Sequence, residues 1–338
     1  MQLHWGLRAL VSLVVLLLAT LALRRGYLRR GAARRAALAA LAVGACASLL
    51  GAAWLAKRRG YLSRPPKMIE VRLEGEGVVL PRPTVGAGRK RGPLVAREMS
   101  LEVRGARRDF LALLPAERSP SPLPLVFVVH GDGDTGPGFH DEFAFEQASG
   151  GSAILVYPTG LGKTWEVELH KNDRELAFFR AIVDRVEASA GVDRSRVFGA
   201  GYSNGGFLLH FMACHAPGFL RAIATHAAGA PYGLPGRFPN GLPRCPGQRG
   251  VPVLAMHGEG DYTVTLASGR FSAAYWAHVN GCDTGTWETT GYPECRSYKA
   301  CPAGLEVAFC QIPRLGHWIW DHGAEANCTF FRLHGAAP

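Results

Sequence analysis

The stretch "SRVFGAGYSNGGFLLHFMAC" occupies residues 195–214. Its first half reads as a strand that ends in glycine, and Asn204 to Cys214 reads as a helix. Between them, Gly201-Tyr202-Ser203-Asn204-Gly205 has the form G-x-S-x-G. At a strand-to-helix junction this spacing makes a sharp turn with a strained backbone, and the central serine stands clear of the sheet. Both glycines are needed because a side chain at 201 or 205 would collide with the neighbouring strand or helix. The first helical turn then offers the positive end of its dipole to charge developing beside the serine. A pentapeptide of this kind recurs by chance in a chain with 42 glycines. Its position after a predicted strand is what gives it weight.

Outward from this turn the pattern repeats. "PLPLVFVVH" (122–130) and "AILVYP" (153–158) are continuous apolar runs, as in strands buried on both faces. "LRAIATHA" (220–227), "VPVLAMHG" (251–258) and "LEVAFCQI" (305–312) predict three more strands. Asp173 to Ala190 reads as a helix, because Leu176, Phe179, Ile182, Val183 and Val186 recur at three and four residues. Ala267 to Val279 reads as another helix. "MSLEVRGARRDFLALLP" (99–115) predicts two strands around a glycine turn. Strands alternating with helices predict an α/β domain over 97–338, with a mostly parallel sheet and helices on both faces. In such sheets chemistry gathers at the C-terminal ends of the strands.

A serine hydroxyl is a weak nucleophile without a base. In this architecture the partners follow in the order Ser, Asp or Glu, His. "HGEGDYTV" leaves the strand at 251–257 and puts Asp261 in its exit loop, and "PRLGHWIW" leaves the strand at 305–312 and puts His317 in its loop. The expected catalytic residues are therefore Ser203, Asp261 and His317. His317 would take the Ser203 proton and return it to the leaving alcohol, while Asp261 would hold the imidazole tautomer. His322 is the alternative base and Asp283 the alternative acid. His130 and His257, at strand ends before glycine, are expected to brace loops.

"VFVVHGDGDTGPGFH" (126–140) admits three readings. Gly131, Gly133 and Gly136 fit the dinucleotide spacing G-x-G-x-x-G, but that reading needs the glycines to open a helix, and Pro137-Gly138 is expected to interrupt it. A calcium loop starting at Asp132 and Asp134 would place Gly136 and Phe143 at ligand positions five and twelve, where neither can serve. An oxyanion loop remains. In it the backbone N–H of Asp132 would join that of Asn204, in a type of contact worth roughly 3–4 kcal/mol per donor. A carboxylate ~6 Å from the oxyanion would oppose it by about 3 kcal/mol at an effective dielectric near 20. Asp132 and Asp134 are therefore expected to point away from Ser203, or turnover is slow. No organic cofactor and no metal is expected: the cysteines form no CxxC and no Cys/His set has zinc-finger spacing.

Six separated blocks resemble one group of proteins: "VVHGDGD", "YPTGLGKTW", "VDRSRVFGAGYSNGGFLLHFMACHAPGFLRAIATHAAGA", "VPVLAMHGEGDYTV", Asn280-Gly281-Cys282 and "LEVAFCQIPRLGHW". Together, over about residues 97–320, they are similar to the secreted polyhydroxybutyrate depolymerase and feruloyl esterase group of α/β-hydrolases. The resemblance implies a serine ester hydrolase acting outside the cytoplasm on an ester substrate, polysaccharide- or polyester-linked. Ser203, Asp261 and His317 fall on the group's triad positions. Trp165 matches an aromatic near the site in relatives. With Tyr202 and Trp318 it makes up the expected substrate pocket, although Trp165 could equally be a core residue and Trp318 and Trp320 could equally be packing. A non-catalytic binding protein that kept the fold, and a peptidase or acyltransferase on the same triad, are the alternatives.

The chain has 338 residues and a formal charge of +11. Residues 1–69 hold 12 basic and no acidic residues, so the remainder carries 26 basic against 27 acidic. The basic excess reads as membrane topology rather than as a nucleic-acid surface. Two apolar runs, 9–23 and 36–56, are separated by six arginines between Arg24 and Arg35. At ~1.5 Å per residue the second reaches ~31 Å, enough to cross a hydrocarbon core. Residues 1–67 are therefore expected to be a membrane anchor or signal region that leaves the catalytic domain outside the cytoplasm. Cleavage near Ala45-Cys46-Ala47, or a lipobox ending at Cys46, is an alternative. Residues 68–96 read as a Pro/Gly/basic linker. Seven cysteines follow, most of which an exported domain would pair, leaving one free. Asn327-Cys328-Thr329 has the form of a glycosylation sequon.

Overall fold

The computed structural model describes residues 94–335 apart from 168–173, 231–233, 235 and 248. The apolar runs at 9–23 and 36–56, and the linker as far as residue 93, lie outside the described residues. Among the described residues no helix is long and apolar enough to cross a membrane.

Alternation along each strand builds two cores from one sheet. In β3 (Leu123–Val129), Leu123, Leu125, Phe127 and Val129 point to one face, and Val126 and Val128 to the other. Both sets are buried, which is why the strand reads as unbroken apolar sequence. The same rule holds for β4 (Ile154–Pro158), β5 (Val192–Tyr202), β6 (Ala222–His226) and, after the short ribbon β7 (Gly236–Arg237) and β8 (Pro243–Arg244), for β9 (Val253–Gly258). β12 (Val307–Ile312) completes a parallel centre in the order β4-β3-β5-β6-β9-β12.

Antiparallel strands close both edges, giving a sheet of ten strands among the described residues. On one side β1 (Leu94–Val103) and β2 (Ala106–Pro115) form the predicted hairpin, with β1 beginning at Leu94, ahead of the predicted stretch at 99–115. On the other, β10 (Asp283–Thr290) and β11 (Tyr292–Lys299) form a hairpin the sequence pattern did not reveal.

Helices cover both faces. α1 (Gly136–Glu142), the short α2 (Glu146–Ser149) and α6 (Gly323–His334) pack on one side. On the other lie α3 (Arg174–Ala190), α4 (Asn204–His215) and α5 (Leu266–Asn280). α1 corrects the expectation that Pro137-Gly138 breaks a helix. Pro137 sits in its first turn, where its missing N–H costs nothing, and Thr135 caps the end by accepting from Gly138 N. A buried ion pair ties β2 to α3: Arg108 Nη2 donates to Glu175 Oε2 at 2.7 Å, with the guanidinium 4.0 Å from the Phe178 ring centroid.

Three disulfides, Cys214–Cys245, Cys282–Cys301 and Cys295–Cys310, leave Cys328 as a buried thiol, pushed up to about 12 by burial. Asn327 of the sequon is fully buried with its amide against His226, so the folded chain offers no acceptor there.

Candidate active site

Ser203 ends β5 at φ 49°, ψ −118°, a left-handed region that a non-glycine residue occupies only under constraint. The constraint comes from both sides. Ser203 N donates to His226 O of β6 at 2.9 Å, and Phe207 N donates back to Ser203 O at 3.0 Å. A Cβ at Gly201 would lie 2.8 Å from the Gly205 backbone, and one at Gly205 would press into the carbonyls of Val129 and His130. The spacing is therefore a packing requirement, as the sequence reading expected.

The Ser203 hydroxyl does not cap α4. It donates instead to His317 Nε2 at 3.0 Å, and His317 Nδ1 donates to Asp261 Oδ2 at 2.8 Å. Asp261 Oδ1 accepts from Thr263 N and Val264 N, each at 2.9 Å. Burial raises the Asp261 carboxyl, but hydrogen bonds from His257, His317 and Val264 outweigh it and hold the group at about 2. The Asp261 and His317 loops are pinned together where Gly260 N donates to Leu315 O at 2.9 Å. Three predicted residues from three strand exits thus meet in one chain of hydrogen bonds. The alternatives do not join it: His322 starts α6 beside Glu325, and Asp283 is exposed and accepts from Gly285 N and Thr286 Oγ1.

Gly131 packs directly on this site, since a Cβ there would stand 3.3 Å from Ser203 Cβ. The loop that carries it hangs from residues 160–165. Gly133 N donates to Lys163 O at 2.7 Å, and Gly160 N donates to His130 Nε2 at 3.0 Å. His130 Nδ1 then donates to Gly131 O at 2.5 Å, so this buried imidazole braces the loop as predicted. Desolvation lowers its pKa, which favours the neutral tautomer those two bonds need. Asn204 Nδ2 donates to Thr164 Oγ1 and Trp165 O, linking the serine turn to the same support.

Trp165 corrects the pocket expectation. It is buried in the core against Phe179, and its indole N–H donates to His130 O at 2.9 Å. It supports the loop from beneath and presents no face to a ligand. Trp320 is likewise buried, against Tyr292 and His322. Trp318 differs: it is 46% exposed, beside His317, with its ring 5.4 Å from that of Tyr202. Tyr202 does more than the sequence suggested. Its hydroxyl donates to His317 O at 2.8 Å, which fixes the histidine loop to the serine turn. Burial, then Asp261 and Glu142, push the phenol up, so it remains a donor.

The two aspartates separate. Asp134 Oδ1 accepts from Thr135 N at 2.7 Å and so is committed to the start of α1. Asp132 is exposed. In bulk water a charge ~6 Å away costs only about 0.7 kcal/mol, against about 3 at an effective dielectric near 20. Asp132→Asn is therefore expected to change the kcat for a p-nitrophenyl ester by no more than about threefold. A tenfold rise would show that the carboxylate faces the reacting oxygen.

No family model matches the chain. It is 29% identical over 182 residues to feruloyl esterase C of Emericella nidulans, across 52% of this chain and 63% of that protein. It is 28% identical over 180 residues to feruloyl esterase D of Neurospora crassa, across 52% of this chain and 54% of that protein. The chain thus spans less than two thirds of either relative's length. Among solved structures, an acetyl xylan esterase from Aspergillus awamori superposes with a TM-score of 0.55 at 17% identity, covering 71% of this chain and 99% of that one. A fluorophosphonate-binding serine hydrolase of Staphylococcus aureus superposes with a TM-score of 0.50 at 13% identity, covering 71% and 99%. Its sheet order, its serine turn and these superpositions show an α/β-hydrolase-like fold, and its sequence is similar to those of feruloyl esterases.

Proposed function

We propose that this protein is a serine carboxylic-ester hydrolase that works through an acyl-enzyme intermediate. The observation that carries the reading is the continuous line Ser203 Oγ–His317 Nε2 at 3.0 Å and His317 Nδ1–Asp261 Oδ2 at 2.8 Å, anchored on a strained serine turn. Ser203 Oγ attacks the ester carbonyl while His317 takes its proton. The oxyanion is held by the backbone N–H groups of Asp132 and Asn204. Collapse breaks the bond to the alcohol, which leaves with the proton from His317. Water, deprotonated by His317, then releases the acid and regenerates Ser203. The leaving oxygen must lie within reach of His317 Nε2, and Tyr202 and the exposed Trp318 beside it are the proposed pocket residues.

Feruloyl-type esters are the first substrate, in keeping with the names of the sequence relatives, and hydroxyalkanoate oligomers are the second. Three disulfides fit action outside the cytoplasm. The test is a panel of methyl ferulate, p-nitrophenyl acetate and 3-hydroxybutyrate oligomers, offered to the full chain produced in an oxidising host. The expected order of kcat/KM puts methyl ferulate above the oligomers. The reverse order would replace the first substrate by the second, and turnover of none would overturn the hydrolase reading.

A further inference from the structure

Asp261 is approached by a second imidazole. His257 lies at the end of β9, almost fully buried, with Nε2 2.6 Å from Val264 O and 3.2 Å from Asp261 Oδ2. Both neighbours are acceptors, so Nε2 carries the hydrogen and shares it between them. Nδ1 is buried without a hydrogen-bond partner, pressed against Gly269 of α5. A second hydrogen, on Nδ1, would therefore have nothing to bond. The ring is locked in one tautomer by its surroundings.

We propose that His257 is a positioning residue for the Asp261–His317 couple, which it orients and weakens by placing a second N–H on the carboxylate oxygen that holds His317. This rests on the triad reading above. Asp261 then receives four donors: two backbone N–H groups on Oδ1 and two imidazole N–H groups on Oδ2. Val264 joins the two halves, because its N–H binds Oδ1 while its carbonyl takes the other share of the His257 hydrogen. A carboxylate so saturated keeps its charge, yet shares it among four hydrogens instead of concentrating it on His317. His257 thus limits how much of the Asp261 charge is directed at His317.

The other groups near this couple are accounted for. Tyr202 faces Asp261 but spends its hydrogen on His317 O. Ser203 faces His317 from the far side. On β12, Gln311 is in register with His257, and its amide takes up both Glu259 and Arg270. His257 is therefore the group whose removal changes what Asp261 offers to His317.

The test compares His257→Leu with His257→Gln, whose amide nitrogen can reach the Nε2 position. Active sites are counted by titration with a fluorophosphonate, so misfolded protein does not enter the rates. His257→Leu is expected to lower kcat about tenfold with KM little changed, and to move the acidic limb of the pH–kcat/KM profile to higher pH by at least half a unit. The sign follows from the freed carboxylate holding the His317 proton more tightly, so that a higher pH is needed to remove it. His257→Gln is expected to restore the limb. A fall in kcat with an unmoved limb would reduce His257 to packing and overturn the proposal, as would a limb that moves downward. Where neither variant folds, 15N shifts of the wild-type imidazoles decide: His257 must carry its hydrogen on Nε2, and an Nδ1–H tautomer overturns the proposal. Failure of the triad reading would appear separately, as a wild-type chain that the fluorophosphonate does not label at Ser203.

Discussion

Replacing Ser203 by alanine is expected to lower kcat for p-nitrophenyl acetate about a million-fold while leaving the fold intact. The size follows from the connectivity. The Ser203 hydroxyl is the one end of the Asp261–His317–Ser203 line that can bond to carbon, and its hydrogen is already directed at His317 Nε2. Alanine leaves the base and the backbone donors in place but gives them nothing to activate. Stability should change little, because the Ser203 side chain does not cap α4. The strain at φ 49° is a backbone property that alanine shares. Steady-state assay beside a thermal melt checks both halves. Retention of more than a hundredth of the wild-type rate by a folded variant would move the nucleophile elsewhere.

Asp261→Asn is expected to cost about 10⁴-fold in kcat with a small change in KM. The surroundings decide how the new amide sits. Thr263 N and Val264 N both donate to Oδ1 and require an oxygen there. The amide nitrogen must then occupy the Oδ2 position, where His317 Nδ1 and His257 Nε2 both present hydrogens. To avoid donor facing donor, His317 must move its hydrogen to Nε2, and an imidazole with hydrogen on Nε2 cannot take the proton of Ser203. The fold loses as well. Lowering the Asp261 carboxyl from 3.8 to about 2 corresponds to about 2 kcal/mol in favour of the native state. Because the native value is the lower one, that stability is fully present above pH 3.8 and lost as the pH falls through about 2. Wild type and Asp261→Asn should therefore differ in stability at neutral pH and converge near pH 2. Urea melts at the two pH values, with kcat measured well below the transition, test this. An unchanged gap at pH 2 would contradict it.

The central strands and the meeting of Ser203, Asp261 and His317 were legible because both depend on local chemistry. β3, β4, β6, β9 and β12 are buried on two faces and so appear as apolar runs. The serine turn needs glycine where backbone meets backbone, and the acid and base follow strand exits that can be counted along the chain. What was missed lacks a local signal. Half of the β10–β11 hairpin strands is Thr, Glu, Arg and Ser, with Trp287, Cys295 and Tyr298 as the buried contacts, and the hairpin is held to the sheet through the Cys295–Cys310 disulfide. α6 starts at His322-Gly323 with no side-chain cap, so its beginning carries no helix signature. Trp165 shows the limit from the other side. An aromatic near the site is legible in sequence, but whether it faces a ligand or props the loop behind it depends on which side of the backbone it fills. His257 is a similar case: a histidine before glycine at a strand end was readable as a brace, while its contact with Asp261 arises from a return of the chain four residues later.

The most direct test of the account is covalent labelling of the wild-type protein with a fluorophosphonate, followed by mass spectrometry of its peptides. The predicted result is a single stoichiometric adduct on Ser203, formed with loss of all esterase activity and absent from Ser203→Ala. An adduct on another residue, or full esterase activity in protein that does not label at Ser203, would contradict it.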